Sequence, residues 1–330
     1  MTDDYQWPSA SVGKRFVNPP ASSGRLAAAA RTVERFFERR LKVHAVLVPS
    51  ARAGLTMLIH LHGLNRRHTV FAPKWSAACI WGSIGRLTNP SSSGPLDADM
   101  VIAVHKWGQV TRAHPRRRAI LLEDSADSAL TSNATMFPNG GAFELVSLPK
   151  IIGSIAGGMI LTRDPDAAAE LRSLRRNGSP LARYQTYLKY LGASGLRPRG
   201  YEHQSYHDLE AVNPGLDAYA LSHIRARLES YDTNVAVIAD RLSFLRRDGW
   251  IDRYVPRTAD CGRLPPVLPV PCKAAPHARA SRLMVRHFDF RRDTMRPAFE
   301  KAFLLPLHAD VSDAAFARLY RDLRGARARA

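Results

Sequence analysis

The sequence predicts an α/β fold: a three-layer α/β/α large domain built on a mostly parallel sheet, followed by a smaller α+β C-terminal domain. Short β-forming apolar runs end in polar residues or proline near 43–48, 69–72, 99–104 and 119–124, about 20–30 residues apart. Helix-like segments separate several of them, which is the pattern of parallel β-α-β winding. Near Asn213 the composition shifts to one long helical stretch and then a proline-rich region. These observations divide the chain into an N-terminal arm (1–22), a large domain (23–215), and a small domain (216–330) entered through the long helix.

The arm is rich in Pro, Ser and Asn and reads as extended chain. From Ser23, Leu26, Ala30, Val33, Phe36, Phe37 and Leu41 recur at helical spacing with charges between them, so an amphipathic helix starts there, capped by Ser22 or Ser23. Val43 to Val48 is strongly β-forming and reads as a short buried strand. Pro49-Ser50-Ala51-Arg52-Ala53-Gly54-Leu55 is a turn of small residues opening an apolar helix from Leu55 to Leu64. Free backbone N–H groups and the positive helix end make such a turn an anion cradle, and the Arg52 guanidinium suits a phosphate.

Thr69 to Ala72 is the next strand, stopped by Pro73, and a helix over Ala77 to Gly85 carries Cys79 and Trp81. Asp99 to Val104 and Ala119 to Asp124 are core strands that stop at His105 and at acids. Ligands of parallel sheets bind beyond the carboxyl ends of the strands, where Ser50, His105 and Asp124 fall. An aspartate there can also be a helix cap, and a lone histidine is often a satisfied structural residue.

Phe143 to Thr162 holds Lys150 after an apolar run and before a glycine-rich turn, Gly153 to Gly158; Met159 to Thr162 then reads as a buried strand. An isolated lysine is ordinarily a surface residue. On a loop between two core strands it can instead be a Schiff-base lysine, its amine made reactive by desolvation. Asp164-Pro165 opens an amphipathic helix that ends at Asn177-Gly178. Residues 178–212, rich in Gly, Tyr and His, read as irregular. Leu216 to Leu245 reads as a long helix with room for a break. Short β-like runs follow between Trp250 and Pro271, then a strand at Arg282 to Val285 and a final helix from Asp313 to Arg324.

The chain of 330 residues is long enough for a sizeable core, and its mean hydropathy of −0.24 is that of a soluble protein. Its 48 Lys and Arg against 29 Asp and Glu give a charge of +19. That balance fits an anionic partner, or an arginine-rich set of solvated helix faces such as Arg35, Arg39 and Arg40. No zinc-finger spacing and no basic stripe interleaved with aromatics is present, so neither a nucleic acid nor a metal site is expected. Cys79, Cys261 and Cys272 are too few and too scattered for a disulfide framework. With no apolar run of transmembrane length and no apolar leader segment, a cytoplasmic protein with no membrane partner is expected.

Five stretches stand in order: Ser50-Ala51-Arg52-Ala53-Gly54-Leu55; Val104-His105-Lys106-Trp107-Gly108-Gln109; Glu123-Asp124-Ser125-Ala126-Asp127; Lys150 with Gly157 to Thr162 and Leu174 to Gly178; and Leu305-Pro306-Leu307-His308 with Val311-Ser312-Asp313. From about residue 24 to 326 this series resembles the DegT/DnrJ/EryC1/StrS family, sugar aminotransferases of the aspartate-aminotransferase-like fold (pyridoxal phosphate, PLP, fold type I). The resemblance implies PLP as cofactor and Lys150 as its Schiff-base lysine, which also shuttles the substrate proton. It implies that Asp124 pairs with the pyridine nitrogen and that Ala51 and Arg52 face the phosphate. His105, Asp127 and Ser147 would lie beside the cofactor, Ser147 as a shifted form of the serine that is Leu145 here. Asn213 would reach the cofactor phosphate of a neighbouring subunit, which implies a homodimer. Arg52 replaces a usual Thr or Ser, Asp127 a usual Gln or His, and Gly215 a usual arginine. The ring-stacking aromatic falls at Ala77, leaving Trp75 or Trp81 to stack.

The function this implies is a PLP-dependent aminotransferase that moves an amino group from glutamate to a nucleotide-linked keto-sugar. Its rivals are a PLP enzyme acting on a non-sugar ketone and a non-catalytic, regulatory relative that keeps the fold. Dehydratases of the family carry histidine in place of the lysine, so Lys150 favours transamination.

Overall fold

A computed structural model describes residues 8, 16, 22–196, 215–250, 262–274, 283–290 and 298–325. The first helix, α1 (Ser23–Leu41), begins where Ser22 Oγ accepts the Arg25 N–H, and stops at Lys42 in a left-handed conformation (φ 57°). Its inner face, Leu26, Ala30, Val33, Phe37 and Leu41, is buried. Truncating Phe37 there would cost about 3–5 kcal/mol.

Seven strands form the central sheet in the order β1-β8-β7-β5-β4-β2-β3. They are β1 (His44–Val48), β2 (Thr69–Phe71), β3 (Asn89–Ser91), β4 (Met100–Val104), β5 (Ile120–Asp124), β7 (Phe143–Ser147) and β8 (Gly158–Thr162). β8 is antiparallel to both its neighbours, and every other pairing is parallel. The carboxyl ends of six strands therefore share one edge, where β8 begins. One face of the sheet is covered by α2 (Ala51–Leu61), α3 (Ala78–Leu87) and α5 (Pro165–Leu174), which share a core with Val46, Val48, Ile102, Leu122 and Ile160. The other face is covered by α1, the short α4 (Leu148–Ile152), α7 (Ala218–Leu228), α8 (Tyr231–Asp248) and α9 (Asp313–Gly325) around Leu47, Val146, Met159 and Leu161. This is the three-layer arrangement of PLP fold type I. A small antiparallel sheet, β10 (Val267–Pro271), β12 (Phe299–Pro306) and β11 (Val285–Asp289), follows it, as expected of the C-terminal region.

Buried ion pairs lock the layers. Glu34, fully buried on α1, accepts the Leu47 N–H of β1 at 3.0 Å and pairs with Arg31, Arg172 and Arg175. Glu144 of β7 pairs with Arg263 at 2.7 Å, both wholly buried; Arg263 lies on β9 (Arg263–Leu264), which pairs with β6 (Ala129–Leu130).

Several elements depart from the sequence expectations. The helix after β1 starts at Ala51 rather than Leu55, because Ser50 Oγ caps it by accepting the Ala53 N–H at 3.1 Å. The segment expected to be irregular contains α6 (Pro180–Ala193), capped by Ser179 with Pro at its first turn. The long helix breaks between Leu228 and Tyr231 into α7 and α8. The strand expected from Arg282 starts at Val285. Lys150 lies in α4, a single helical turn rather than an open loop.

Candidate active site

β8 makes the site. Its first residue, Gly158, pairs with Val48 on one side and Ser147 on the other. The turn after β1 and the turn after β7 are thereby set side by side. The apposition is close: a Cβ on Gly158 would lie 2.5 Å from Ala51 N and from Ser50 C, so only glycine fits without moving that turn. Gly157 N–H also donates to Pro49 O at 2.7 Å, and Leu148 N–H to Gly157 O at 3.1 Å. The first turn of α2, with Ala51 and Arg52, thus opens beside Lys150, and first-turn N–H groups lack helical partners.

Lys150 Nζ donates to Asp127 Oδ1 at 2.5 Å; the lysine side chain is 34% exposed and the aspartate 12%. Burial works to lower the Lys150 pKa, but the charge and hydrogen bond of Asp127 outweigh it and hold it above the usual lysine value. Cys79, in the first turn of α3, and Asp124 also act on Lys150 electrostatically.

Asp124 ends β5 and is buried. Among the described residues its carboxylate accepts one hydrogen bond, from Ala126 N–H at 3.0 Å. Burial raises its pKa above the aspartate range; the Ala126 N–H opposes the rise and the charge of Asp127 adds to it. The turn that follows Asp124 and carries Asp127 is closed by Ser128 N–H donating to Ser125 O at 3.0 Å. Beneath it, Ser125 Oγ donates to Glu144 Oε1 at 2.5 Å.

His105 is fully buried. Thr111 N–H donates to its Nδ1 at 3.1 Å, which leaves Nε2 as the protonated nitrogen facing Glu123 Oε2 at 2.6 Å. Both nitrogens are therefore occupied within the protein. Trp75 follows β2 and is buried, its ring 6.0 Å from the Lys106 ammonium. Trp75 Nε1 and Ser76 Oγ are buried with no hydrogen-bond partner among the described residues. Ser147 ends β7, and its hydroxyl does not cap α4. Asn213 lies outside the described residues.

Residues 33–324 match a family model described as "Putative PLP-dependent aminotransferase". The chain belongs to this family of PLP-dependent aminotransferases. Its fold is that of the DegT/DnrJ/EryC1/StrS structures. One from Brucella abortus superposes with a TM-score of 0.56 at 15% identity, over 92% of this chain and 95% of that one. The aminotransferase TlmJ from Streptoalloteichus hindustanus gives 0.59 at 17% identity, over 94% and 98%. DesI, solved in the presence of its TDP-sugar product, gives 0.57 at 15% identity, over 98% and 96%. No curated protein matches the chain in sequence.

The structure places three of the positions at which the sequence departs from the family pattern it resembles. Gly215, where an arginine is usual, packs so closely that a Cβ would lie 2.0 Å from Arg176 O. Ala77, at the aromatic position, is an exposed residue in extended backbone at the start of α3. Leu145 is a buried strand residue of β7, paired with Ile160. The supports of the site escaped the sequence reading. Nothing in its immediate neighbourhood marks Arg263 as a partner of Glu144, and Cys79 carries no spacing signal. No helix among the described residues is long and apolar enough to cross a membrane.

Proposed function

We propose that the chain transfers an amino group from glutamate to a nucleotide-linked keto-sugar, with Lys150 and Asp124 as its catalytic residues. The observation that carries this reading is the shared edge: the capped first turn of α2, the Lys150 turn and the donor-poor Asp124 all open on it. These residues fit PLP. The first-turn N–H groups of Ala51 and Arg52 suit its phosphate, with the Arg52 guanidinium alongside. A buried carboxylate whose pKa is raised by desolvation gains most from a cationic N–H, so Asp124 suits the ring nitrogen. The reading also sets His105, Asp127, Ser147 and Trp75 beside the cofactor; Trp75 Nε1, buried with no hydrogen-bond partner among the described residues, has a hydrogen to donate.

Bound there, PLP supplies an electron-sink ring and a carbonyl carbon. The chain supplies the rest. Asp124 holds the ring nitrogen's proton, the α2 turn fixes the phosphate end, and Lys150 Nζ takes and returns the proton at the substrate carbon. The acceptor class rests on DesI, seen with a TDP-sugar, and on the +19 charge, which suits a diphosphate. The reading includes a cytoplasmic homodimer in which Asn213 serves the neighbouring subunit. It also includes a large domain, 23–215, that carries the site and a small domain, 216–330, entered through the long helix.

The test is a single-turnover assay of PLP-loaded protein. Glutamate should yield one 2-oxoglutarate per site, and a panel of nucleotide-linked keto-sugars should return the loaded form. Absence of 2-oxoglutarate removes glutamate as donor. Return of the loaded form by simple keto acids alone removes the sugar.

A further inference from the structure

The Lys150–Asp127 pair does more than neutralise charge. The two side chains are brought together by separate, rigid supports. Lys150 sits on the one-turn α4 directly after β7, where β8 pins Ser147 to Gly158. Asp127 sits in the Ser125–Ser128 turn after β5, tied to β7 through the Ser125 N–H to Leu145 O (2.9 Å) and through Ser125 Oγ to Glu144. Arg263 braces that tie from the side, its Nε 3.4 Å from Ser125 Oγ. The 2.5 Å contact is thus fixed by the sheet itself.

We propose that Asp127 is the counter-ion of Lys150: it holds the side chain as an ammonium in the cofactor-free protein and so governs the loss of the proton that must leave Nζ before an aldehyde is captured. The inference rests on the reading of Lys150 as the residue that engages PLP. Capture of an aldehyde by an amine needs the nitrogen lone pair. An ammonium first gives one proton to a base; nitrogen then bonds to the carbonyl carbon, and the carbonyl oxygen leaves as water with the two hydrogens of the amine. Asp127 is in hydrogen-bond contact with the nitrogen that must lose the proton. Asp124, the other acid nearby, is suited to the ring nitrogen.

The surroundings leave this division intact. Asp124 and Asp127 from the β5 end and the Cys79 thiol from α3 act on Nζ, with Asp127 the strongest of the three. His105, beyond β4, acts on Asp124. On the other side of α4, His223 and Arg227 of α7 are engaged with Ile155 N–H and Ile152 O.

Two readouts test the proposal, one of them independent of cofactor. The first is labelling of cofactor-free protein with acetic anhydride across pH, scored at Lys150 by peptide mass mapping. The labelling midpoint of D127N should fall by about 1–3 pH units relative to wild type, the range an adjacent opposite charge commands. D127E should restore it, and D124N should move it less. The second is PLP uptake, followed by absorbance and by borohydride fixation: D127N should take up PLP at lower pH than wild type. An unchanged labelling midpoint in D127N, or a larger shift in D124N, overturns the role of Asp127. Borohydride fixation of PLP at another residue overturns the Lys150 reading instead, and the labelling result still decides the pairing. Thermal melts of each variant identify any that fail to fold, and D127S replaces D127N in the comparison if D127N is one of them.

Discussion

Glu123 and Asp124 are neighbours on β5, and they have opposite fates. Successive strand residues face opposite sides of the sheet. Glu123 faces four donors: Asn139 N–H (2.8 Å) and Gly141 N–H (3.0 Å) on Oε1, Asn139 Nδ2 (2.9 Å) and His105 Nε2 (2.6 Å) on Oε2. Burial works to raise its pKa, but these bonds outweigh burial and hold it below the usual range. Asp124, with one donor and a second acid beside it, goes the other way. Glu144 belongs with Glu123, its carboxylate filled by Ser125, Arg263 and the Phe137 N–H. A buried carboxylate filled with donors is framework, and one left short of donors is available for chemistry.

The sharpest way to break that division is at the lysine. Lys150→Ala should lower turnover by about 10³-fold or more while the melting temperature stays close to wild type, since its side chain faces the site rather than the core. A wild-type rate in this variant would move the site elsewhere. Arg263→Met tests the framework side. It strands Glu144 as an unpaired buried charge and should cost about 3–5 kcal/mol in urea unfolding. The two neighbours give the paired test. Asp124→Asn should cost about 10²-fold in turnover with little loss of stability. Glu123→Gln should cost about 1.5–3 kcal/mol of stability, because its bonds are charge-assisted, with a smaller effect on turnover. If both substitutions strike the same property, donor count is not what separates them.

A gentler test lies outside the site. Asp217 caps α7 by accepting the Ala220 N–H at 2.8 Å, and burial pushes its pKa from 3.8 up to about 6. The folded protein then binds more protons than the unfolded chain between those values. The associated stability is present in acid and is lost as pH rises through about 6. Asp217→Asn keeps a capping oxygen without the charge. It should be more stable than wild type by roughly 3 kcal/mol above pH 7 and equal to it below pH 4, as read from unfolding curves at both ends.

Much of the architecture could be read from the sequence because its strands are fully buried. Runs such as Met100–Val104 are apolar throughout, and their ends mark the functional edge. Lys150 and Asp124 stand out in the sequence for the same reason, as polar residues placed where apolar runs stop. The direction of β8 was not: Gly158–Thr162 is buried along its whole length, and an all-apolar run looks the same paired either way. α6 was hidden by its Tyr and Gly content, although Ser179-Pro180 is a readable start signal. The braces of the site were beyond reach because they are long-range. Arg263 and Glu144 are 119 residues apart, and no local pattern links such a pair.

The reversed strand also has a consequence in time. β1 and β7 lead into the Ser50 turn and the Lys150 turn, and they are not paired with each other; β8 lies between them. A growing chain that has reached Ile152 already contains Ser50, Asp124, Asp127 and Lys150, but lacks the strand that pairs with both β1 and β7. Gly158 closes that gap with one residue bordered by both turns. On the proposed reading, PLP uptake during refolding would serve as a clock for the docking of β8.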